Sequence, residues 1–293
     1  MFLIFSNDVD DCIIHSKILK FADDIKLFHR FESIDVCTSR FDFLQHDLTR
    51  LSNWCSTWLM SLNVSKCACI HFGYNNPGRT YFIGDAAVAD CNRFIDLGVL
   101  VADNLKPSAQ CFRAAARAQK MLAIIKLAFK FLSVHSLSVL YKSFVLPLLE
   151  YCSVVWCPYY VRDIEILEKV QRRFTRILPV FRDLPYKDRL EKYHLSSLFA
   201  RRLYFDLLCV FKIIHGFIDV DANSFFDFGS DPRTRGHDYK IKALRSRLDL
   251  RSHWFVSRVI PHWNDLPAFV VRSSTIKGFK INLWKHFNDV GIS

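Results

Sequence analysis

Glycine and proline are both scarce, nine of each in 293 residues. So few chain-breakers exclude collagenous and low-complexity architectures and favour long regular elements joined by few loops. A long uncharged run is missing too. The most apolar stretch, Ser133 to Trp156, carries His135, Lys142, Pro147 and Glu150, a load a membrane span does not normally tolerate. Ten cysteines are present without framework spacing. In a chain of this size that points to reduced thiols in an intracellular protein, with nucleus and cytoplasm both open. The opening Met1-Phe2-Leu3-Ile4-Phe5 lacks a basic lead and a cleavage site and runs into Asp8, Asp10 and Asp11, so no signal peptide is expected. No repeat at solenoid periods is visible.

What the chain does hold is apolar mass and positive charge. Hydrophobic residues make up 51%, with 27 phenylalanines, enough for a substantial core in one large domain or two ordinary ones. Forty Lys/Arg against 29 Asp/Glu leave a net +11, which favours an anionic partner and says nothing about fold. The excess is local. Residues 1–105 carry 9 basic and 13 acidic groups, net −4. Residues 106–217 carry 19 and 8, net +11, and residues 218–293 carry 12 and 8, net +4. An acidic region followed by a basic one suits a phosphate polymer and its metal ions, although a solvated basic helical surface would look the same.

Periodicity predicts an α+β chain in three parts, 1–105, 106–217 and 218–293. In the first, Ile18–Ala22 and Ile25–His29 are apolar runs around Asp23-Asp24, which reads as a tight hairpin. Phe41, Leu44, Leu48, Leu51, Cys55, Trp58 and Leu62 step by three and four, predicting one long amphipathic helix. Strands follow at Lys66–Phe72, Tyr81–Ile83, Ala86–Val88 and Phe94–Val101 in a small antiparallel set, with a turn at Asn75-Asn76-Pro77-Gly78. The second part is expected to be helical at Ser108–Leu132, Leu137–Trp156 (bent at Pro147), Asp163–Leu178 and Tyr186–His215, with Gly216 as a C-terminal cap. Residues 218–230 read as a linker or long loop before an irregular basic end.

Two adjacent carboxylates at a hairpin tip are costly to hold together unless a cation sits on them, and Mg²⁺ accepts oxygen ligands while leaving positions open for phosphate. Alone, such a turn is most often just solvated. Its context adds more. Leu3-Ile4-Phe5-Ser6-Asn7-Asp8 followed by Phe21-Ala22-Asp23-Asp24 resembles the carboxylate-bearing palm motif of non-LTR (LINE-type) retrotransposon reverse transcriptases, particularly the jockey-like group. The helix with Trp54 and Trp58, then Leu62-Asn63-Val64-Ser65-Lys66, is similar to the family's next palm motif. Phe94-Ile95-Asp96-Leu97-Gly98-Val99 resembles its primer-grip strand. Leu146–Cys152, Leu167–Arg173, Arg233–His237 and Arg258–Pro267 are typical of the region beyond the palm. The matches span nearly the whole chain in order.

The resemblance implies a partial palm with one long helix, a helical thumb-like bundle and a basic C-terminal region. It implies Asp23 and Asp24 as Mg²⁺ ligands, Lys66 near the departing pyrophosphate as a general acid, and Leu97, Gly98 and Val99 supporting the primer end. Arg113, Arg117, Lys120, Arg172, Arg173, Arg176, Arg201 and Arg202 would grip an RNA template/DNA primer duplex by its phosphates. The family's earlier palm carboxylate and its fingers precede the matched segments, so dNTP binding belongs to the complete family enzyme. The chain alone is expected not to polymerise. The other readings are a non-catalytic nucleic-acid-binding module and a helical interaction protein whose basic face is only solvated. Cys67-Ala68-Cys69 and the Cys152/Cys157 pair lack a second pair at zinc-finger spacing, so structural thiols are the expected reading.

Overall fold

The computed structural model describes residues 7–30, 42–74, 76–228, 236–243 and 245–292. Leu3–Ser6, Phe41, Asn75 and Arg233-Thr234-Arg235, which carry part of the sequence pattern, lie outside them. The chain is α+β and divides into two compact units, Met1–Asp96 with Val101–Leu105, and Leu97–Leu100 with Lys106–Ser293.

In the first unit β1 (Lys17–Phe21) and β2 (Asp24–Phe28) pair antiparallel, Phe21 opposite Asp24. The two-residue connection is therefore Ala22-Asp23 rather than Asp23-Asp24. Ala22 takes the positive φ of 52° that a tight hairpin turn needs, and Asp24 joins the ladder. Ile18, Ile25 and Leu27 fall on one side by strand alternation and pack with Val9, Leu51 and Cys55. Helix α1 (Asp42–Thr57) stops more than a turn short of Leu62. Leu59, with φ 54°, closes a left-handed cap in which the Met60 N–H donates to the Cys55 carbonyl at 2.8 Å and the Leu59 N–H to that of Ser56 at 3.1 Å. Buried Asp47 of α1 ties the chain before β1 to the helix. Its carboxylate accepts the N–H groups of Ile14, His15 and Ser16 at 2.7 to 3.1 Å.

The expected antiparallel set is instead a group of two-stranded sheets. β3 (Ala68–Ile70) runs parallel to β6 (Ala89–Cys91), β4 (Phe82–Ile83) pairs with β5 (Ala86–Ala87), and β7 (Arg93–Asp96) with β8 (Val99–Ala102). The two longest expected strands are cut short. A 3₁₀ turn, Val64–Lys66, takes the start of one, and the Leu97-Gly98 turn divides the other.

The second unit is built on two cores. Ala114, Ala118 and Leu122 of α2 (Ser108–Ala128) join the first. There they meet Leu137 of α3 (Val134–Leu140), Leu149 of α4 (Leu146–Glu150) and Leu167, Val170 and Phe174 of α6 (Val161–Phe174). The expected helix through Pro147 changes pitch just before that residue. Tyr141–Val145 is a π-helical segment, closed by the Leu146 N–H on the Tyr141 carbonyl, and Pro147 then falls in the first turn of α4, where a missing N–H costs little. Cys152, in the left-handed region, then separates off α5 (Ser153–Trp156). The expected helix Tyr186–His215 is likewise two, α7 (Tyr186–Lys192) and α8 (Leu198–Ile214). His194 with φ 50° breaks the run, and Ser197 caps α8 by accepting from the Ala200 N–H. Gly216 ends α8 as expected, with φ 69° and the Phe217 N–H donating to the Lys212 carbonyl.

Residues 218–293 do not separate from the helices before them. Leu198 starts α8 in the first core, while Leu203 to Ile213 of the same helix form a wall of the second. After the single turn α9 (Asp249–Ser252), α10 (Phe255–Asn264), α11 (Ala268–Val271) and α12 (Ile276–Asp289) complete it with Trp263, Val270, Phe279 and Phe287. Phe226 is buried there, so the stretch read as a linker is anchored at that residue.

Candidate nucleic-acid interface

Helix α6 sorts its residues by face. Leu167, Glu168, Val170, Gln171 and Phe174 turn inward, and Lys169, Arg172 and Arg173 turn to solvent. That is one helical stripe of each kind. The inward polar residues are satisfied. Gln171 accepts from the Tyr141 hydroxyl at 2.8 Å and donates to the Tyr186 hydroxyl at 3.1 Å and the Ser196 carbonyl at 3.0 Å. The Tyr186 hydroxyl in turn donates to Glu168. Burial first, and the Glu168 carboxylate second, push Tyr186 above its ordinary range, so the phenol stays a donor. A closed network of this sort fixes the rotation of α6 and hence where its arginines point.

The outward residues line a cleft of about 470 Å³. Its walls are Lys126 at the end of α2, Lys169, Arg172 and Arg173 of α6, then Arg176, Ile177 and Arg182. Six of the seven are cations, and no carboxylate is among them. Lys169 stands three and four residues from Arg172 and Arg173, spacings at which like charges cost roughly 0.2–0.5 kcal/mol a pair. Behind them Arg189 is buried, donating to Thr175 Oγ1 at 3.1 Å and the Leu184 carbonyl at 2.8 Å. Burial first, then the charge of Arg176, lowers its guanidinium pKa. Net repulsion of this kind is what a polyanion relieves. A second groove continues from Lys126 and Ile177 past Phe129, Lys130, Phe131 and Leu132. Phe131 is 95% exposed there, an aromatic face open to a stacked base.

The basic residues singled out from sequence thus fall into three groups. Arg172, Arg173 and Arg176 meet in the cleft. Arg117 and Lys120 lie exposed on α2 in one stripe with Arg113, whose Nη1 donates to the Gly98 carbonyl at 2.8 Å. Arg201 and Arg202 turn inward instead. Arg201 forms a two-pronged ion pair with Glu150, and Arg202 is only 3% exposed. Neither side chain is presented to a duplex, because α8 is a shared wall of two cores and has little free face. Lys126, Lys169 and Arg182 complete the cleft and were not singled out. Lys169 was readable, one turn before Arg173. Arg182 was not, because it arrives across the Pro179 turn.

Leu97 and Gly98 make the turn between β7 and β8 with φ of 43° and 84°, a two-residue hairpin in which both residues are left-handed. The Leu97 carbonyl accepts from the Tyr151 hydroxyl at 2.9 Å, and Val99 is buried in the first core. A Cβ added at Gly98 would come within 3.2 Å of the Tyr151 ring. The turn is therefore fastened to helical framework by its own carbonyls.

Asp23 and Asp24 are both exposed, one in the hairpin turn and one opening β2. No set of three metal-ligand atoms among the described residues includes either. Lys66, expected on a strand, is exposed at the end of a 3₁₀ turn.

The matched segments late in the sequence carry structural work here. Arg258 clasps buried Asp206 with two hydrogen bonds of 2.9 Å, and burial pushes the Asp206 carboxyl up in spite of that partner. Trp263 donates to the Tyr239 carbonyl at 2.8 Å. Asn264 brackets Ile241, accepting its N–H and donating to its carbonyl. His237 sits under Trp263, bonded to that residue's carbonyl. Comparison with family models, with curated proteins and with solved structures finds no match for the chain. Among the described residues no helix is long and apolar enough to cross a membrane.

Proposed function

We propose that the chain binds nucleic acid through the α2–α6 cleft, as the thumb-bearing part of a non-LTR retrotransposon reverse transcriptase that does not polymerise by itself. The observation that carries this reading is the cleft lined by six cations and no carboxylate. A phosphate backbone supplies a row of anions at that scale, and each Lys/Arg contact releases condensed counterions. An RNA template/DNA primer duplex is the ligand that the sequence resemblance implies. The exposed Phe129 and Phe131 suit an unpaired nucleotide running off its end.

The test is fluorescence anisotropy on a labelled RNA/DNA hybrid at low salt, with primer extension run alongside. The wild-type chain should bind, and Arg172→Ala/Arg173→Ala/Arg176→Ala should bind at least roughly tenfold more weakly. With Mg²⁺ and dNTPs no extension is expected, because a single hairpin does not bring ligands to two metal ions from both sides. Extension abolished by Asp23→Ala would overturn the non-catalytic part of the proposal. Equal binding by wild type and triple variant would overturn the rest and leave the basic surface as solvation only.

A further inference from the structure

We propose that Cys69, His71 and Asp90 form a zinc-binding site in the first unit. Cys69 and His71 are two residues apart along β3 and its extension, so strand alternation sets them on the same side. Asp90 is the direct partner of Cys69 on the parallel strand β6. His71 Nε2 lies 3.6 Å from Cys69 Sγ and 3.2 Å from Asp90 Oδ1, and all three ligand atoms fall within 4.8 Å of one another. Zinc bonds of about 2.3 Å to sulfur and about 2.0–2.2 Å to nitrogen and oxygen, set at tetrahedral angles, give ligand separations of about 3.6 Å for S–N and about 3.3–3.5 Å for N–O. The side chains already stand close to those edges. A thiolate, an imidazole and a carboxylate together suit Zn²⁺ rather than Mg²⁺ or Ca²⁺, which prefer all-oxygen shells. The cluster is half-buried to exposed, so the ion has a way in and a fourth position stays open to water.

Two other uses of these residues fit less well. A Cys–His–Asp relay needs the thiol and the carboxylate on different imidazole nitrogens. Here both converge on Nε2, the arrangement of a shared cation rather than a relay. The other such grouping among the described residues, His15, His46 and Asp47, is a poorer ligand set, because both Asp47 oxygens are already taken by N–H donors. Without metal the Cys69 thiol is pushed up to about 11, by burial first and then by the charges of Asp90 and Cys91. Forming the S–Zn bond therefore sends the thiol proton to solvent. The ion would clasp two strands joined by only three residue pairs, across nearly twenty residues of chain.

The experiment strips the full chain with EDTA and titrates it with zinc against a chromophoric chelator, then repeats the titration with Co²⁺ as a spectroscopic probe. One equivalent should bind, and Co²⁺ should show thiolate charge transfer with tetrahedral d–d intensity. Cys69→Ala and His71→Ala should each weaken binding by about a hundredfold or more and Asp90→Asn by about tenfold, while Cys67→Ser leaves it unchanged. A measurement free of variants covers the case in which these misfold: zinc should protect Cys69, and not Cys152, from alkylation in the wild-type chain. Binding insensitive to Cys69→Ala and His71→Ala, absence of the charge-transfer band, or equal Cys69 alkylation with and without zinc would each overturn the proposal.

Discussion

The two charged features of this protein are held in opposite ways. The acidic pair Asp23-Asp24 is exposed, Asp23 in the turn of a two-stranded hairpin and Asp24 opening its second strand. The basic cleft rests on α2 and α6, whose inner faces are locked by the Gln171–Tyr141–Tyr186 network and the first core. Charge that must stay concentrated against its own repulsion needs a rigid support. Exposed carboxylates at a hairpin do not, since water screens them. On the proposed reading, binding would draw on the helical unit rather than on the hairpin.

The comparison breaks most readily at the support. Gln171→Ala leaves the buried Tyr141 hydroxyl without its acceptor, removes the donor to the Tyr186 hydroxyl and the Ser196 carbonyl, and should cost about 2–4 kcal/mol in denaturant unfolding. Cleft affinity should fall with it although no cation is touched. If stability stays within about 0.5 kcal/mol of wild type, the network is not what holds α6. Next comes Phe131→Ala. It should weaken binding of a hybrid with a single-stranded overhang by about 1–3 kcal/mol and leave a blunt hybrid unaffected, as read by anisotropy. Equal losses on both substrates would remove stacking from the account.

Acid sharpens the contrast further. In the second unit His237 is buried and His215 half-buried, each bonded to a carbonyl, and desolvation holds both below the ordinary imidazole value. A depressed histidine keeps its stabilising contribution above the unfolded pKa of about 6.5 and loses it as the unfolded chain takes up the proton below that pH. The denaturation midpoint of the helical unit should therefore drop between about pH 7 and pH 5. His237→Gln should flatten that slope. The smallest effect is expected at the turn itself: Asp23→Ala and Asp24→Ala should each leave stability within about 0.5 kcal/mol. A larger loss in either would mean that the acidic pair has a structural partner.

Much of this was legible from the chain. The 3–4 periodicity from Leu44 to Cys55 marks α1, and Leu167 to Phe174 marks α6 with its arginines on the far side. Gly216 caps α8 as its position suggests. The errors share a cause, which is that local pattern does not report tertiary competition. Leu59 ends α1 through a left-handed cap that favours glycine, so no residue type announced it. Cys152 and His194 break helices in the same unannounced way. Arg201 and Arg202 look like any solvent pair until α8 is seen to serve two cores. The cleft itself is half readable, as three arginines on one helix and the turn after it. Lys126 and Arg182 reach it only through the fold.

The most direct test of the account is the salt dependence of hybrid-duplex affinity. Plotted as log affinity against log salt, the wild-type chain should fall linearly. In Arg172→Ala/Arg173→Ala/Arg176→Ala the slope should become shallower by roughly 0.9 for each phosphate that is no longer neutralised. Asp23→Ala should run parallel to wild type. A flat wild-type response, or a triple variant with the wild-type slope, would contradict the claim that this cleft holds a phosphate backbone.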